Sequence, residues 1–282
     1  MKNKTSTHIC KACNNSFTGK YCNQCGEKFF DEHSKSVSHL GEEAFHFLTH
    51  FEGSFFTTLK TVFFKPGKLS IDYCNGIRKK YFKPVPFFLF IVVLYLLFPR
   101  FQGLNMRLDT YVSKDYNYHH LALAVAKKKL IQYNGDYAAM AVAYDTKSAK
   151  LAKPLIFIMI PVTGLLLFGF FYKKRGYYFD HLIYATEFNA LYIGFSYLIM
   201  PLLMVAISSA YPSTVSFFAD DGPGWLLSNC IMCVYLVVAF RRFYSLKWMV
   251  ALPLALLFFA CYLLLLGYFY KMVLYYCVMF LI

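Results

Sequence analysis

Residues 60–98 read KTVFFKPGKLSIDYCNGIRKKYFKPVPFFLFIVVLYLLF. A basic, aromatic segment runs directly into an apolar helix pattern. The Lys65-Pro66-Gly67-Lys68 break ends one helix, because Pro lacks an N–H and Gly relaxes the backbone. A short second helix is expected from Leu69 to Asn75, stopped by Gly76. Arg78, Lys79, Lys80, Tyr81, Phe82 and Lys83 then form a collar before Pro84 and Pro86. Cations for lipid phosphates beside rings for the headgroup layer are what an anchor on anionic lipid requires.

Working outward, the whole chain is 58% hydrophobic and 20% aromatic, with 31 Phe and 24 Tyr among 282 residues. Mean hydropathy is +0.44, well above that of a soluble domain. Several runs approach the roughly 20 apolar residues that cross a bilayer as a helix. The expected fold is therefore an all-α polytopic membrane protein with about five transmembrane helices and a small N-terminal zinc ribbon. The net charge of +14 raises nucleic acid as a partner. Its placement disfavours that: residues 1–84 hold 13 Lys/Arg against 7 Asp/Glu, much of the excess lying in Arg78, Lys79, Lys80 and Lys83. Anionic headgroups are the expected partner of those four.

Residues 10–25 read CKACNNSFTGKYCNQC. Cys10 with Cys13, and Cys22 with Cys25, make two Cys-x2-Cys hooks that can present four thiolates to one tetrahedral ion. One structural Zn²⁺ per chain is expected. The alternatives are two disulfides or unbound thiols. Phe17, Lys20, Tyr21 and Glu27 are too few to form a core, so metal would supply most of this module's folding free energy. Four sulfur ligands leave no open position for catalysis.

Residues 36–64 carry Leu40, Ala44, Phe47, Phe51 and Phe55 on one helical face and His39, Glu43, His46 and His50 on another. The first face fits an amphipathic helix lying on the membrane. The second is either a solvated face or, through His46 and His50 one turn apart, a metal site. Residues 1–36 lack an apolar h-region. The first span is expected to act as its own insertion signal.

The "PGK…Y…G.RKKY..P" pattern of Pro66, Gly67, Lys68, Tyr73, Gly76, Arg78, Lys79, Lys80, Tyr81 and Pro84 resembles a bacterial membrane-protein family of uncharacterised function. That family has a small N-terminal zinc ribbon, a histidine-containing helix and several spans. DHLIYATEFNA at 180–190 and AFRRFYSLKW at 239–248 also fit its pattern. The resemblance implies a ribbon joined to a helical membrane domain, and no activity.

The expected organisation is a ribbon at 1–35, amphipathic and juxtamembrane helices at 36–84, a first span at 85–100, an extracytoplasmic loop domain at 101–153 and a four-span bundle at 154–282. Within the loop domain, LALAVAKKKLIQY and DYAAMAVAY read as two short helices about Asn134-Gly135. The later spans are expected at Pro154–Tyr172, His181–Ile207 with a kink at Pro201, Trp225–Phe240, and from Trp248 onward. The last is either one long helix or a span with an interfacial end near Gly267 to Lys271. Cationic turns at 173–175 and 241–247, an acidic loop at 209–224 and thiols needing a reducing side place the N-terminus in the cytoplasm of a bacterial inner membrane. The 101–153 loop dissents, with eight Lys/Arg against four Asp/Glu.

Ionisable residues inside a span are costly and point to function. Asp180, His181 and Glu187 are the candidates, Glu187 the deepest. Glu187 would carry protons, pair with a base, or hold helices together. Cys230 and Cys233, inside a span, read as small hydrophobes. No Gly-rich phosphate loop, GxSxG elbow or HExxH motif occurs. A non-enzymatic scaffold or adaptor is thus the first expectation, with an unidentified protein partner. A transporter or lipid-handling protein using Glu187, His181 and the His39–His50 helix is the second. An intramembrane enzyme at the histidine stripe is the third.

Overall fold

The computed structural model describes residues 7–9, 13, 15–19, 21–24, 53–78, 80–97, 105–113, 119–211 and 221–282. The chain divides into two units, Met1–Gly53 and Ser54–Ile282. Cys10, Cys25, His39, Glu43, His46, His50 and Lys79 lie outside the described residues.

The first unit contains an antiparallel hairpin of β1 (Thr7–Ile9) and β2 (Ser16–Thr18), with His8 opposite Phe17. Phe17 and Cys22 are buried against each other, and Cys13 packs on them.

The second unit is helical. Helix α1 (53–64) buries Phe55, Thr58, Thr61 and Val62 and exposes Phe56 and Phe64. The buried set recurs at helical spacing, so one face turns inward. The Phe55 ring meets Phe82, Phe87 and Phe90 edge-on or tilted, at 4.7 to 5.9 Å. The helix ends at Lys65-Pro66-Gly67, and α2 (Lys68–Cys74) starts from a left-handed Gly67 at φ 71°. Helix α3 (Pro84–Leu97) begins on a proline, whose missing N–H costs nothing at that position.

Beyond α3 lie α4 (Leu108–Val112), α5 (His119–Gln132) and α6 (Tyr137–Leu155). Asn134 and Gly135, both at positive φ, turn α5 into α6, and the Asp136 carboxylate caps α6 by accepting from Ala139 N at 2.9 Å. Helix α6 runs through Pro154 into a single 3-10 turn and then α7 (Met159–Phe171), the two halves bent by 47°. The proline removes one ladder bond and crowds the preceding turn, which accounts for the bend.

Helix α8 (Tyr178–Gly194) continues through a π segment (Phe195–Ile199) into α9 (Met200–Ala210). Met200 N donates to Phe195 O, five residues back. The wider turn lies immediately before Pro201, the residue expected to kink this span. Helix α10 (Asp221–Phe243) returns. Helix α11 (Trp248–Leu264) continues through a second π segment (Leu265–Tyr270) into α12 (Lys271–Leu281). The last segment is thus one helical rod, and the bulge falls on the Gly267 region.

Among the described residues, three helices are long and apolar enough to cross a membrane: Tyr178–Ala210, Gly224–Phe243 and Trp248–Leu281. The bent α6–α7 pair would make a fourth. The five expected spans are reduced because α3 has only 14 residues and α7 only 13. Fourteen residues rise about 21 Å, short of the roughly 30 Å of hydrocarbon. The chain nevertheless runs along five helical columns in alternating directions. Helix α3 runs parallel to α8, with Ile91 against Gly194 and Tyr95 against Tyr197. Helix α7 runs antiparallel to α8, Phe168 meeting Tyr178 and His181.

The 34-residue rod rises about 50 Å, so a length of it projects past any hydrocarbon layer. Its α12 portion carries α4 to α6. Tyr111 donates to Lys271 O at 2.8 Å and Tyr275 to Ala122 O at 2.6 Å. Tyr270 donates to Ala152 O at 3.1 Å.

Candidate functional site

The connections at the opposite end from α12 converge. The Pro-Gly break between α1 and α2 lies against α10: a Cβ on Gly67 would sit 3.2 Å from Ala239 O and 3.5 Å from Phe243 Cβ. Arg242 donates to Pro66 O at 2.9 Å. Tyr235, a hydroxyl in the apolar run of α10, donates to Val62 O at 2.9 Å.

Glu187 enters this junction from α8. It is 1% exposed. Its Oε1 accepts from Gly67 N at 3.2 Å and shares with Val62 O the single proton of the Tyr235 hydroxyl, 3.2 Å away. Its Oε2 accepts from Ser70 N at 2.9 Å and from the Ser70 hydroxyl. Gly67 and Ser70 are the N-cap and third helical residue of α2, whose first N–H groups have no partner within the helix. The carboxylate thus caps α2 from another helix, 117 to 120 residues away in sequence. Four donors occupy the carboxylate's two oxygens, and none comes from a basic side chain.

Around this clamp lie two further clusters. Asp72 accepts from the Tyr81 hydroxyl at 2.6 Å and from Lys68 Nζ at 3.2 Å, fastening α2 to the collar. Burial pushes the Asp72 carboxyl up, but the Tyr81 and Lys68 hydrogen bonds outweigh it and hold its pKa below the ordinary value. Burial first, then the bond to Asp72, pushes the Tyr81 phenol up to about 12. Phe82 N donates to Thr58 Oγ1 at 2.8 Å, joining the collar to α1.

The second cluster spans the two cationic turns. Arg175 pairs with Asp180 at 2.8 Å and donates from Nε to Phe243 O at 3.1 Å. Its guanidinium lies 4.1 Å from the Phe243 ring centroid. His181 Nε2 is 2.9 Å from Arg175 O, and its Nδ1 is 2.9 Å from the Tyr244 hydroxyl. A carbonyl only accepts, so Nε2 carries the proton and Nδ1 accepts from Tyr244. Burial first, then the neighbouring Asp180 carboxylate, pushes the Cys74 thiol up to about 12.

Asp180 and His181 therefore share Arg175 as a partner, while Glu187 bonds Gly67, Ser70 and Tyr235 at the same end of the bundle. Sequence reading missed Ser70, Tyr235, Arg175 and Tyr244 as those partners. The available signal was a hydroxyl residue in the "PGKLS" turn and single tyrosines in apolar or basic runs.

In the first unit, Cys13 Sγ and Cys22 Sγ are 3.6 Å apart. A disulfide requires about 2.05 Å. Two sulfurs on one tetrahedral zinc, at about 2.3 Å each, are separated by about 3.8 Å. The two described sulfurs thus stand too far apart for a disulfide and near the spacing of sulfurs that share an ion or a thiol hydrogen bond. Among the described residues no group of three metal-ligating side chains occurs.

A bundle of apolar helices, three of the described ones long and apolar enough to cross a bilayer, is the architecture of a helical membrane protein. Residues 52–96 match a family described as Protein of unknown function (DUF3667). The matched stretch covers α1, the Pro-Gly break, α2, the collar and nearly all of α3. No curated protein and no solved structure matches the chain.

Proposed function

We propose that this chain is a non-enzymatic membrane adaptor of a bacterial inner membrane. In this reading the helical bundle is the anchor. The collar of Arg78, Lys79, Lys80 and Lys83 rests on anionic headgroups, with Arg78, Lys80 and Lys83 exposed. Cys10, Cys13, Cys22 and Cys25 hold one structural Zn²⁺, and the folded ribbon recruits a protein partner from the cytoplasm. Helix α3 serves as a fifth, short span, extended at its ends by aromatic residues.

The observation that carries the reading is the clamp. Glu187 already has four donors from its own chain: Gly67 N, Ser70 N and the Ser70 hydroxyl from the segment bearing the collar, and the Tyr235 hydroxyl from α10. A carboxylate so engaged fixes one part of the protein to another. A transport carboxylate instead needs acceptor capacity for its cargo.

The test is affinity purification of the full chain from its native membrane, beside the Cys13→Ser/Cys22→Ser variant, with zinc determined on both. The expected result is one zinc per chain and a stoichiometric partner, both lost in the variant while the bundle remains folded. A solute or lipid flux in proteoliposomes that Glu187→Gln abolishes, without loss of the folded bundle, would support the transport reading and overturn this one.

A further inference from the structure

Four arginines gather at the collar end of the bundle: Arg78, Arg175, Arg241 and Arg242. Three donate to oxygen atoms of the chain. Arg78 bonds Tyr73 O, Arg175 bonds Asp180 and Phe243 O, and Arg242 bonds Pro66 O. Arg241 differs. Its Nε is buried and has no hydrogen-bond partner among the described residues. Its guanidinium lies 3.6 Å from the centroid of the Trp248 ring. Trp248 is 55% exposed, and Lys247 beside it is also exposed. No Asp or Glu follows Asp221 in the sequence, so neither α10 beyond its first residue nor α11 provides a carboxylate.

The stack fixes the plane of the guanidinium while leaving that residue partly exposed. A planar fork of N–H donors held in this way matches a phosphate group with two parallel bonds. Tryptophan at a span terminus sits at headgroup depth, and Trp248 opens the longest apolar rod of the chain. The acceptor concentrated at that depth is lipid phosphate.

We propose that Arg241, Trp248 and Lys247 form a binding site for the phosphate headgroup of an anionic phospholipid, at the turn between α10 and α11. The site rests on the reading of the collar end as a lipid-facing surface, and it is separate from the Arg78–Lys83 collar. Trp248 forms one wall through its ring face, Arg241 supplies the paired donors, and Lys247 adds a second positive charge.

The chain contains two tryptophans, Trp225 and Trp248, so Trp225→Phe leaves Trp248 as the reporter. The full chain is reconstituted in phosphatidylcholine bilayers containing phosphatidylglycerol with brominated acyl chains, or brominated phosphatidylcholine at the same fraction. The expected result is quenching of Trp248 at about five-fold lower fraction of the anionic lipid, the scale of one cation near a membrane surface. Arg241→Gln should abolish that preference, and Arg241→Lys should retain part of it. Arg78→Gln/Lys80→Gln/Lys83→Gln should leave it intact. Helical circular dichroism and Trp248 emission in phosphatidylcholine alone serve as fold controls.

Equal quenching by both lipids would overturn the site, as would an unchanged preference in Arg241→Gln. Inorganic phosphate that competes away the preference would make it a phosphate-ion site and overturn the lipid assignment. If collar substitution alone removes the preference, the site fails while the collar reading stands. If neither set of substitutions affects it, both fail.

Discussion

At the scale of single residues, Glu187 offers the sharpest test. Truncating it to Ala leaves Gly67 N, Ser70 N and the Ser70 hydroxyl without their acceptor in a buried junction, while the Tyr235 hydroxyl keeps Val62 O. Each orphaned buried group costs about 1–3 kcal/mol, and local relaxation recovers part. Glu187→Ala should destabilise the bundle by about 3 kcal/mol, measured as thermal unfolding in detergent. Glu187→Gln keeps one acceptor oxygen and should fall between Ala and the unsubstituted chain. A change within about 0.5 kcal/mol for both would remove the clamp from the fold's energetics. Asp72 gives a pH signature. Its folded pKa lies below the ordinary value, so its contribution is complete above the unfolded value of about 3.9. It fades as pH falls from there through the lowered folded pKa. The stability gap between the unsubstituted chain and Asp72→Asn should therefore be constant from neutral pH to about 5, and close under stronger acid. Glu187 was legible in the sequence as an ionisable group in an apolar helix. Its role was not, because its partners lie more than 100 residues away and no local periodicity encodes them.

At the scale of elements, the turns at the two ends of α2 rest on two glycines with the same backbone requirement and different surroundings. Gly67 has φ 71° and a Cβ there would meet Ala239 backbone at 3.2 to 3.4 Å. Gly76 has φ 89° and open space around it. Adding a side chain costs about 1–2 kcal/mol for the left-handed backbone alone at each. At Gly67 the clash with α10 adds to this, and it falls on the loop that Glu187 grips. Gly67→Ala should therefore cost about 1 kcal/mol or more beyond Gly76→Ala, and it should raise amide exchange across 68–74. Equal losses for the two would mean that the close approach to α10 contributes nothing. The break at Pro66-Gly67 and the Asn134-Gly135 turn were legible, since both follow from fixed or permissive backbone chemistry. The two π segments were not. A single widened turn leaves the apolar pattern on either side almost unchanged, so continuous hydropathy concealed them. Pro154 was read as the start of a span, whereas the helix passes through it and bends.

At the scale of the molecule, the distribution of charge predicts an orientation. The hook at 65–83, the turn at 172–177 and the turn at 244–247 meet at one end of the bundle, and the acidic 209–224 loop follows α9, which runs away from that end. The dissenting loop domain weighs less than its charge count implies. Lys127, Lys128 and Lys129 stand about 30 residues from both α3 and α7, beyond the roughly 15–20 residues over which flanking charge directs insertion, which leaves Arg107, Lys114, Lys147, Lys150 and Lys153 as the flanking cations. The collar end should therefore face the cytoplasm. Reporter thiols at Lys80→Cys, Lys128→Cys, Lys174→Cys and Lys247→Cys, each in a chain cleared of other reactive cysteines, test this with an impermeant maleimide on intact cells. Position 128 should label from outside, and positions 80, 174 and 247 only after the membrane is opened. The inverse pattern would reverse the orientation and remove the reducing compartment that the zinc proposal needs. The same four positions decide the span count, which composition alone left between three and five. Labelling of 80 and 128 on opposite sides makes the 14-residue α3 a true span, with the bilayer thinned or its flanking rings drawn in to meet it. Labelling of 128 and 174 on opposite sides makes the bent α6–α7 pair one crossing. Positions 174 and 247 must agree in either case, because α8–α9 and α10 cross out and back between them; if they disagree, the column order itself is wrong.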